Sequence, residues 1–505
     1  MTTNRTPQLP PERRDHRRTY PLNVRVPKGP GVYHPTATTH DIYYETFDEV
    51  VRHPGATSIQ KARERAAQGD LKLPAVYQRE APRWPDDFLR ASRLNRVLSL
   101  LGVLTSFRAV TNNQAAAFTG DPSLANPRSD LIAGLFTCGV LDLAHPYLGY
   151  SLGVAGGNTT AYQIGDPALL DELRRHLTWA EWFAVTGNRR RPTEAVNIRH
   201  DILAAELALR AAHGLRVGTV LGPHFSRFAD LNIWNAVPKK GGPDLTIVRD
   251  DGLRIAIELT SSIGADFEQK VERWARLLSG NALDLSGQAV IFLVAPSPSA
   301  DPKYIHQVRR MTYKHIKDAM SDRLGSSRCR TANRIGIATW REWFPFEGVA
   351  SEHFARLTAD RPTGSDPRWE PCNMWDPRAL PFDPDDRNAM REIIPNAALL
   401  TQTPAHLRWP HQPARQVAAL LRAAAGEPPA IPPRRERSGT RRPGVGQGVA
   451  GNALIPPRIL GPADLPKRTS AQLVLGRPED GDAFGLAEPR FGYLFPDSVA
   501  RRKAA

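Results

Sequence analysis

Two acids, Asp244 and Glu258, lie in the segment GGPDLTIVRDDGLRIAIELTSS with a spacing that can bring them together. Two apolar runs, Leu245–Arg249 and Leu253–Leu259, flank Asp250-Asp251-Gly252. A three-residue loop with Gly in the left-handed position makes a bulged hairpin of them. That loop sets a register in which Arg249 faces Leu253, Ile247 faces Ile255, Leu245 faces Ile257 and Asp244 faces Glu258. The apolar pairs then share one face, and the two acids share the other with Cβ atoms about 5 Å apart. Carboxylates that close repel unless a cation or a shared proton compensates. Oxygen ligands so placed suit Mg²⁺ or Mn²⁺, an ion that lowers the pKa of bound water. The plain alternative is a solvated hairpin carrying two surface acids.

The hairpin sits within a run of alternating helix and strand over residues 190–345. The order is helix (Asp201–His213), hairpin, helix (Asp266–Ser279) and strand (Ala289–Ala295). In the first helix Glu206 lies beside the apolar stripe of Ile202, Leu203 and Leu207, which predicts that it points back to the hairpin. In the second, Phe267, Val271, Trp274 and Leu278 form the stripe. Lys270 flanks it at about 60° from its centre, at 100° per residue. From there its stem can carry the ammonium to the carboxylates.

Residues 84–165 read as helix–helix–helix–ribbon, the order of a winged helix. Leu89, Leu94, Val97, Leu98 and Leu101 mark a first helix over Asp86–Leu101. Thr111 caps a second over Asn112–Phe118, and a third runs over Arg128–Cys138. Two short strands then surround AGGN. Such a unit projects one short helix into a DNA major groove. The candidate reading face is Asn126, Arg128 and Ser129 at the start of the third helix. Residues 346–425 read as a helical, Trp/Pro-rich extension.

Charge is concentrated at the ends. The chain of 505 residues carries a formal +15, of which residues 1–30 and 426–505 hold a net +5 each. Both ends are Pro-rich and lack apolar periodicity, so the segments 1–42 and 426–505 read as disordered basic tails. Such arms suit a polyanion, and double-stranded DNA is the expected partner. No run of about 18 apolar residues occurs, which argues against a membrane span. The opening residues contain no apolar segment of a secretory signal. Three Cys (Cys138, Cys329, Cys372) with no C-x-x-C spacing disfavour a disulfide scaffold or a thiolate zinc site and fit a cytoplasmic protein. The expected class is a multidomain α/β and α+β chain: a winged-helix domain, then an α/β domain whose element order resembles that of the restriction endonucleases.

With Pro243-Asp244, Glu258 and the surrounding order of elements, the hairpin resembles the core of the PD-(D/E)xK nuclease superfamily. The resemblance implies metal-dependent DNA cleavage, with a lysine that activates or orients water. That lysine would fall at Thr260. Either Lys270 has taken its place, or the domain is an inactive, DNA-binding remnant. With RHDILAAELAL, GPDL, IAIELT and KVERWARLL added, roughly residues 90–300 resemble the replication-relaxation family of actinobacterial plasmids and mobile elements. Members of that family tend to carry a second acid after the strand's Glu, where this chain has Leu259-Thr260-Ser261. The resemblance implies a part in replication, relaxation or transfer of a mobile element, with other replication or transfer proteins as partners. The leading reading is therefore a DNA-binding protein acting in replication, relaxation or transfer of such an element; the alternatives are an active metal-dependent DNA endonuclease and a scaffold whose basic tails hold partners.

Other motifs carry less. His200 beside Asp201 reads first as a helix-start residue, and His224 in GPHFSRF is isolated. GVAGGN and GVGQGVAGN lack the G-K-[S/T] ending of a phosphate loop, and no G-x-S-x-G occurs. RWPHQPARQVAALLRAAAG reads as an amphipathic docking or packing helix.

Overall fold

In a computed structural model of the chain, the hairpin keeps the register that its apolar residues dictate. Leu245 pairs with Ile257 and Ile247 with Ile255, and the Arg249 amide donates to the Leu253 carbonyl. The structure describes residues 19–21, 41–46, 56–144, 160–176, 198–226, 241–321 and 333–382, less short gaps that include 250–252. The tail 426–505, Cys329, both Gly-rich segments and the expected helix after Trp409 lie outside the described residues.

The chain is α+β with two principal sheets. It opens with β1 (Thr19–Pro21), β2 (Ala56–Thr57) and α1 (Ile59–Ala67). There follow α2 (Ala91–Phe107), β3 (Ala109–Thr111), α3 (Asn112–Thr119), α4 (Asp130–Thr137), β4 (Leu141–Ala144), β5 (Ala161–Ile164) and α5 (Pro167–Leu173). Strands β2, β4, β5 and β3 lie in that order, all antiparallel. Thr111 caps α3 as its type and place demand, accepting from the Gln114 amide at 3.1 Å.

The larger sheet comes next. It begins with α6 (Ile198–Gly214), β6 (Val217–Leu221), β7 (Leu245–Arg249) and β8 (Arg254–Thr260). Then come α7 (Ala265–Gly280), β9 (Gln288–Val294), α8 (Pro302–Ser321), β10 (Ile335–Thr339) and α9 (Trp340–Trp343). Strands β11 (Val349–Ser351), β12 (Thr358–Thr363) and β13 (Arg368–Asn373) close the described chain. The spatial order of the seven strands is β13-β12-β10-β9-β8-β7-β6. β6, β7 and β8 form an antiparallel meander, and β8, β9 and β10 are parallel. Parallel neighbours need crossovers, and α7 and α8 supply them.

Both faces of this sheet are covered, which is why β7, β8 and β9 are buried along their whole length. Side chains alternate between two cores. Ile255, Ile257, Leu259, Ile291 and Leu293 join the core that α6 covers. Ala256, Val290, Phe292 and Val294 join the core beneath α7 and α8. The first core runs on without a break into the smaller sheet and its helices, so blocks 84–165 and 190–345 pack as neighbours on shared apolar side chains. Gly222, just past β6, makes the contact tight: a Cβ there would lie 2.3 Å from the Ser106 carbonyl oxygen of α2.

Two expectations are corrected. The part of 346–425 that is described holds three strands and one short helix (Glu352–Ala355), and β12 and β13 extend the large sheet. The cause lies far off in sequence: Asp360 of β12 is buried beneath α8, 3.3 Å from Arg309 Nη2 and accepting from the Tyr313 hydroxyl at 2.9 Å. The N-terminal arm is not wholly without structure either. β1 pairs antiparallel with β11, and Asp41 is buried.

Asp41 belongs to an ionic cluster centred on Arg210 of α6. Arg210 reaches Asp41 Oδ2 at 3.0 Å and Glu206 Oε1 at 2.9 Å, and its guanidinium lies 4.4 Å from the Phe344 ring centroid and 5.3 Å from that of Trp340. Tyr43 stacks on Trp340, with ring centroids 5.0 Å apart. This cluster ties the segment before β2, α6 and the end of β10 into one unit.

Candidate active site

Alternation along β8 decides where Glu258 points. It shares the face of Ala256, the face covered by α7, and it is fully buried. Trp274 of α7 donates its indole N–H to Glu258 Oε1 at 2.6 Å. Lys270 lies one helical turn before Trp274 and therefore on the same side of α7. Its Nζ is 2.5 Å from Glu258 Oε2 and 3.7 Å from Asp244 Oδ2.

Asp244 enters from the start of β7. Its backbone amide donates to the Ile257 carbonyl at 3.1 Å, continuing the hairpin ladder, and its Oδ2 accepts from the Leu259 amide at 2.8 Å. The side chains of Asp244 and Lys270 are 22% and 33% exposed, so the cluster opens to solvent on their side while Glu258 closes its floor. Asp244, Glu258 and Lys270 thus come together on one face.

The electrostatics follow from this placement. Burial pushes the Glu258 carboxyl up to about 7, aided by Asp244, against the downward pull of Lys270 and Trp274. Burial works to lower the Lys270 pKa, but Asp244 and Glu258 together outweigh it and hold the ammonium above its ordinary range. The buried carboxylate needs a cation beside it, and Lys270 supplies that charge here. Two carboxylates fit Mg²⁺ or Mn²⁺ in donor type. Among the described residues no group of three or more His, Cys, Asp or Glu is placed to share an ion, so water or substrate oxygens would complete such a shell.

Glu206 is not part of this site. α6 covers the opposite face of the sheet, and Glu206 is spent on Arg210 and on Gln114, whose Nε2 donates to it at 3.1 Å. Thr260, where the family's lysine would fall, is buried and offers no ammonium. Two nearby residues carry more than the sequence reading assigned to them. Trp274 had counted as core alone; its place one turn from Lys270 was the signal that its N–H reaches the same acid. His200, in the first turn of α6, feels both charged partners. Burial lowers its pKa, with Lys270 and Arg199 acting the same way and Asp244 opposing, so the imidazole is neutral near pH 7. His224 lies elsewhere, at the junction with α2, where its amide donates to the Ser106 carbonyl.

At the start of α4, Asn126 and Ser129 both serve the backbone. Asn126 Oδ1 accepts from the Arg128 amide at 3.0 Å, and Ser129 Oγ caps the helix through the Ile132 amide at 3.4 Å. Arg128 is exposed. The adjacent Asp130 pairs with Arg79 at 3.2 Å on the surface.

Compared with family models, curated proteins and solved structures, the chain matches none. No helix among the described residues is long and apolar enough to cross a membrane.

Proposed function

We propose that this chain binds double-stranded DNA and cleaves its phosphodiester backbone with a divalent metal ion, in the replication, relaxation or transfer of a plasmid or mobile element. One observation carries the reading: Lys270 Nζ stands 2.5 Å from Glu258 and 3.7 Å from Asp244, so a carboxylate pair and an ammonium meet at a solvent-open edge. Two features of the fold support it. The order α6, three antiparallel strands, α7 and a parallel strand agrees with a PD-(D/E)xK-type domain. The order α2-β3-α3-α4-β4-β5, with β5 between β3 and β4, agrees with a winged helix.

In this reading Asp244 and Glu258 would hold Mg²⁺ or Mn²⁺. The ion, when bound, lowers the pKa of attacking water and stabilises charge developing on the phosphate. Trp274 fixes the Glu258 carboxylate through Oε1 and leaves Oε2 turned to Lys270. Such an ion would compete with Lys270 for the two carboxylates, and the ammonium, on a side chain one-third exposed, would then be free to orient the water or the phosphate. Supercoiled plasmid incubated with the protein and Mg²⁺ or Mn²⁺ tests this: open circles form, and chelation by EDTA stops them.

Lys270→Ala separates two roles of the lysine. Its loss removes a competing cation, so half-saturation by Mn²⁺ shifts to lower concentration. Its loss also removes a group that orients the water or the phosphate, so the maximal nicking rate falls by about 10²-fold. Unchanged maximal rate would discard Lys270 as the replacement for the lysine missing at Thr260.

A second reading, DNA binding without cleavage, draws on the complete burial of Glu258, both of whose oxygens already have partners in Trp274 and Lys270. It predicts duplex binding with no nicking under either metal. In both readings Arg128→Ala costs roughly 1–3 kcal/mol at a preferred DNA site if the guanidinium meets a base edge. Competition between specific and random duplex measures this, and equal losses on both would restrict Arg128 to phosphate.

A further inference from the structure

The outer face of α8 carries four cations in a row. Lys303, Arg310, Lys314 and Lys317 fall within an arc of about 60° at 100° per residue, and at 1.5 Å per residue the row extends roughly 21 Å. All four are exposed. The opposite side of the helix is anchored by Ile305, Val308, Thr312 and Ile316, which are buried, so the row is held outward by the core.

The row works against the helix that bears it. Arg310 and Lys314 stand four residues apart and Lys314 and Lys317 three, spacings at which like charges destabilise a helix by a few tenths of a kcal/mol. Neighbouring α7 shows the opposite habit: Arg273 faces Gln269 and Arg276 faces Glu272, each at 3.4 Å and one turn back. On α8 the acids stand at the margins. Asp301 caps the helix start, accepting from the Lys303 amide at 2.8 Å, and Asp318 flanks the row four residues after Lys314.

The geometry points to this row as a seat for the phosphate backbone of duplex DNA. A duplex presents one negative charge per about 1.7 Å of axis, so a straight row of cations this long meets several phosphates at once. A lipid surface fits less well, because the apolar residues Ile305, Val308 and Ile316 face the core and the exposed side of α8 offers a bilayer little apolar area beyond Tyr304. The inference rests on the DNA reading above and adds the surface on which the duplex lies.

The test uses the full chain and a random-sequence duplex, with affinity measured by anisotropy across a fourfold range of salt. In the variant Lys303→Ser/Arg310→Ser/Lys314→Ser/Lys317→Ser, the slope of log K against log salt drops by up to about 3.6, at about 0.9 per phosphate released. The wild type therefore loses on the order of 100-fold more affinity than the variant over that range. The double variant Arg310→Glu/Lys317→Glu shows a loss in the same direction, and thermal melting of both confirms the fold. Wild-type binding with an unchanged slope in both variants overturns this inference and leaves the DNA reading standing. A wild type that does not bind duplex overturns both. Binding that depends on the row but goes to anionic phosphatidylglycerol vesicles rather than to duplex overturns the choice of DNA.

Discussion

Replacing Asp244 by Ala should reduce divalent-dependent nicking by on the order of 10²–10³-fold, the scale of losing one group that stabilises transition-state charge. Duplex affinity should stay within about twofold, because removing a negative charge beside a phosphate does not weaken the attraction between protein and DNA. Asp244 is the sharper choice for this experiment. Its side chain is partly exposed, whereas Glu258 is buried against Trp274 and Lys270, and Glu258→Ala would leave a cavity and a Trp274 indole N–H without its acceptor. Gel shift and nicking on the same preparation separate the two effects. Parallel loss of binding and cleavage would mean that Asp244 holds the fold or the DNA rather than a metal ion.

The largest effect on stability should come from Arg210→Ala. Arg210 is 2% exposed and lies between the carboxylates of Asp41 and Glu206 and the rings of Trp340 and Phe344. Removing it leaves two buried acids without their counter-charge, a change that costs about 3–5 kcal/mol when one partner of a buried pair is lost. Denaturant unfolding measures it. Arg210→Met combined with Asp41→Asn and Glu206→Gln should recover much of that loss, because the uncompensated charges go with the cation. A loss under about 1 kcal/mol for Arg210→Ala would show that the cluster is exposed to water in solution.

What was legible in the sequence was local. The hairpin register followed from two apolar pairs and a Gly-containing loop, since a one-residue slip would have turned Ile255 and Ile257 to the wrong core. Lys270 was legible for a similar reason, its angle to the buried stripe of α7 limiting where its ammonium can go. Glu206 was misread because helical periodicity shows which side of α6 is buried but not which face of the sheet receives it. The pairing of Glu206 with Arg210 four residues on resembles an ordinary surface pair, and only tertiary packing buries it. The strands after residue 346 were missed because their stability is non-local. β12 is held by pairing with β10 and by Arg309 and Tyr313, about fifty residues earlier. Short Pro- and Trp-containing words such as TADRPT and RWEPCN carry little strand signal of their own.

The central claim is that Asp244 and Glu258 take up a divalent ion in place of the charge that Lys270 supplies. Crystals of the protein soaked in Mn²⁺ and measured at the manganese absorption edge test it most directly. The account predicts an anomalous peak against both carboxylates, with Lys270 Nζ withdrawn from the 2.5 Å contact that it makes with Glu258. Full occupancy of that contact, with no anomalous peak beside Asp244 or Glu258, would contradict it.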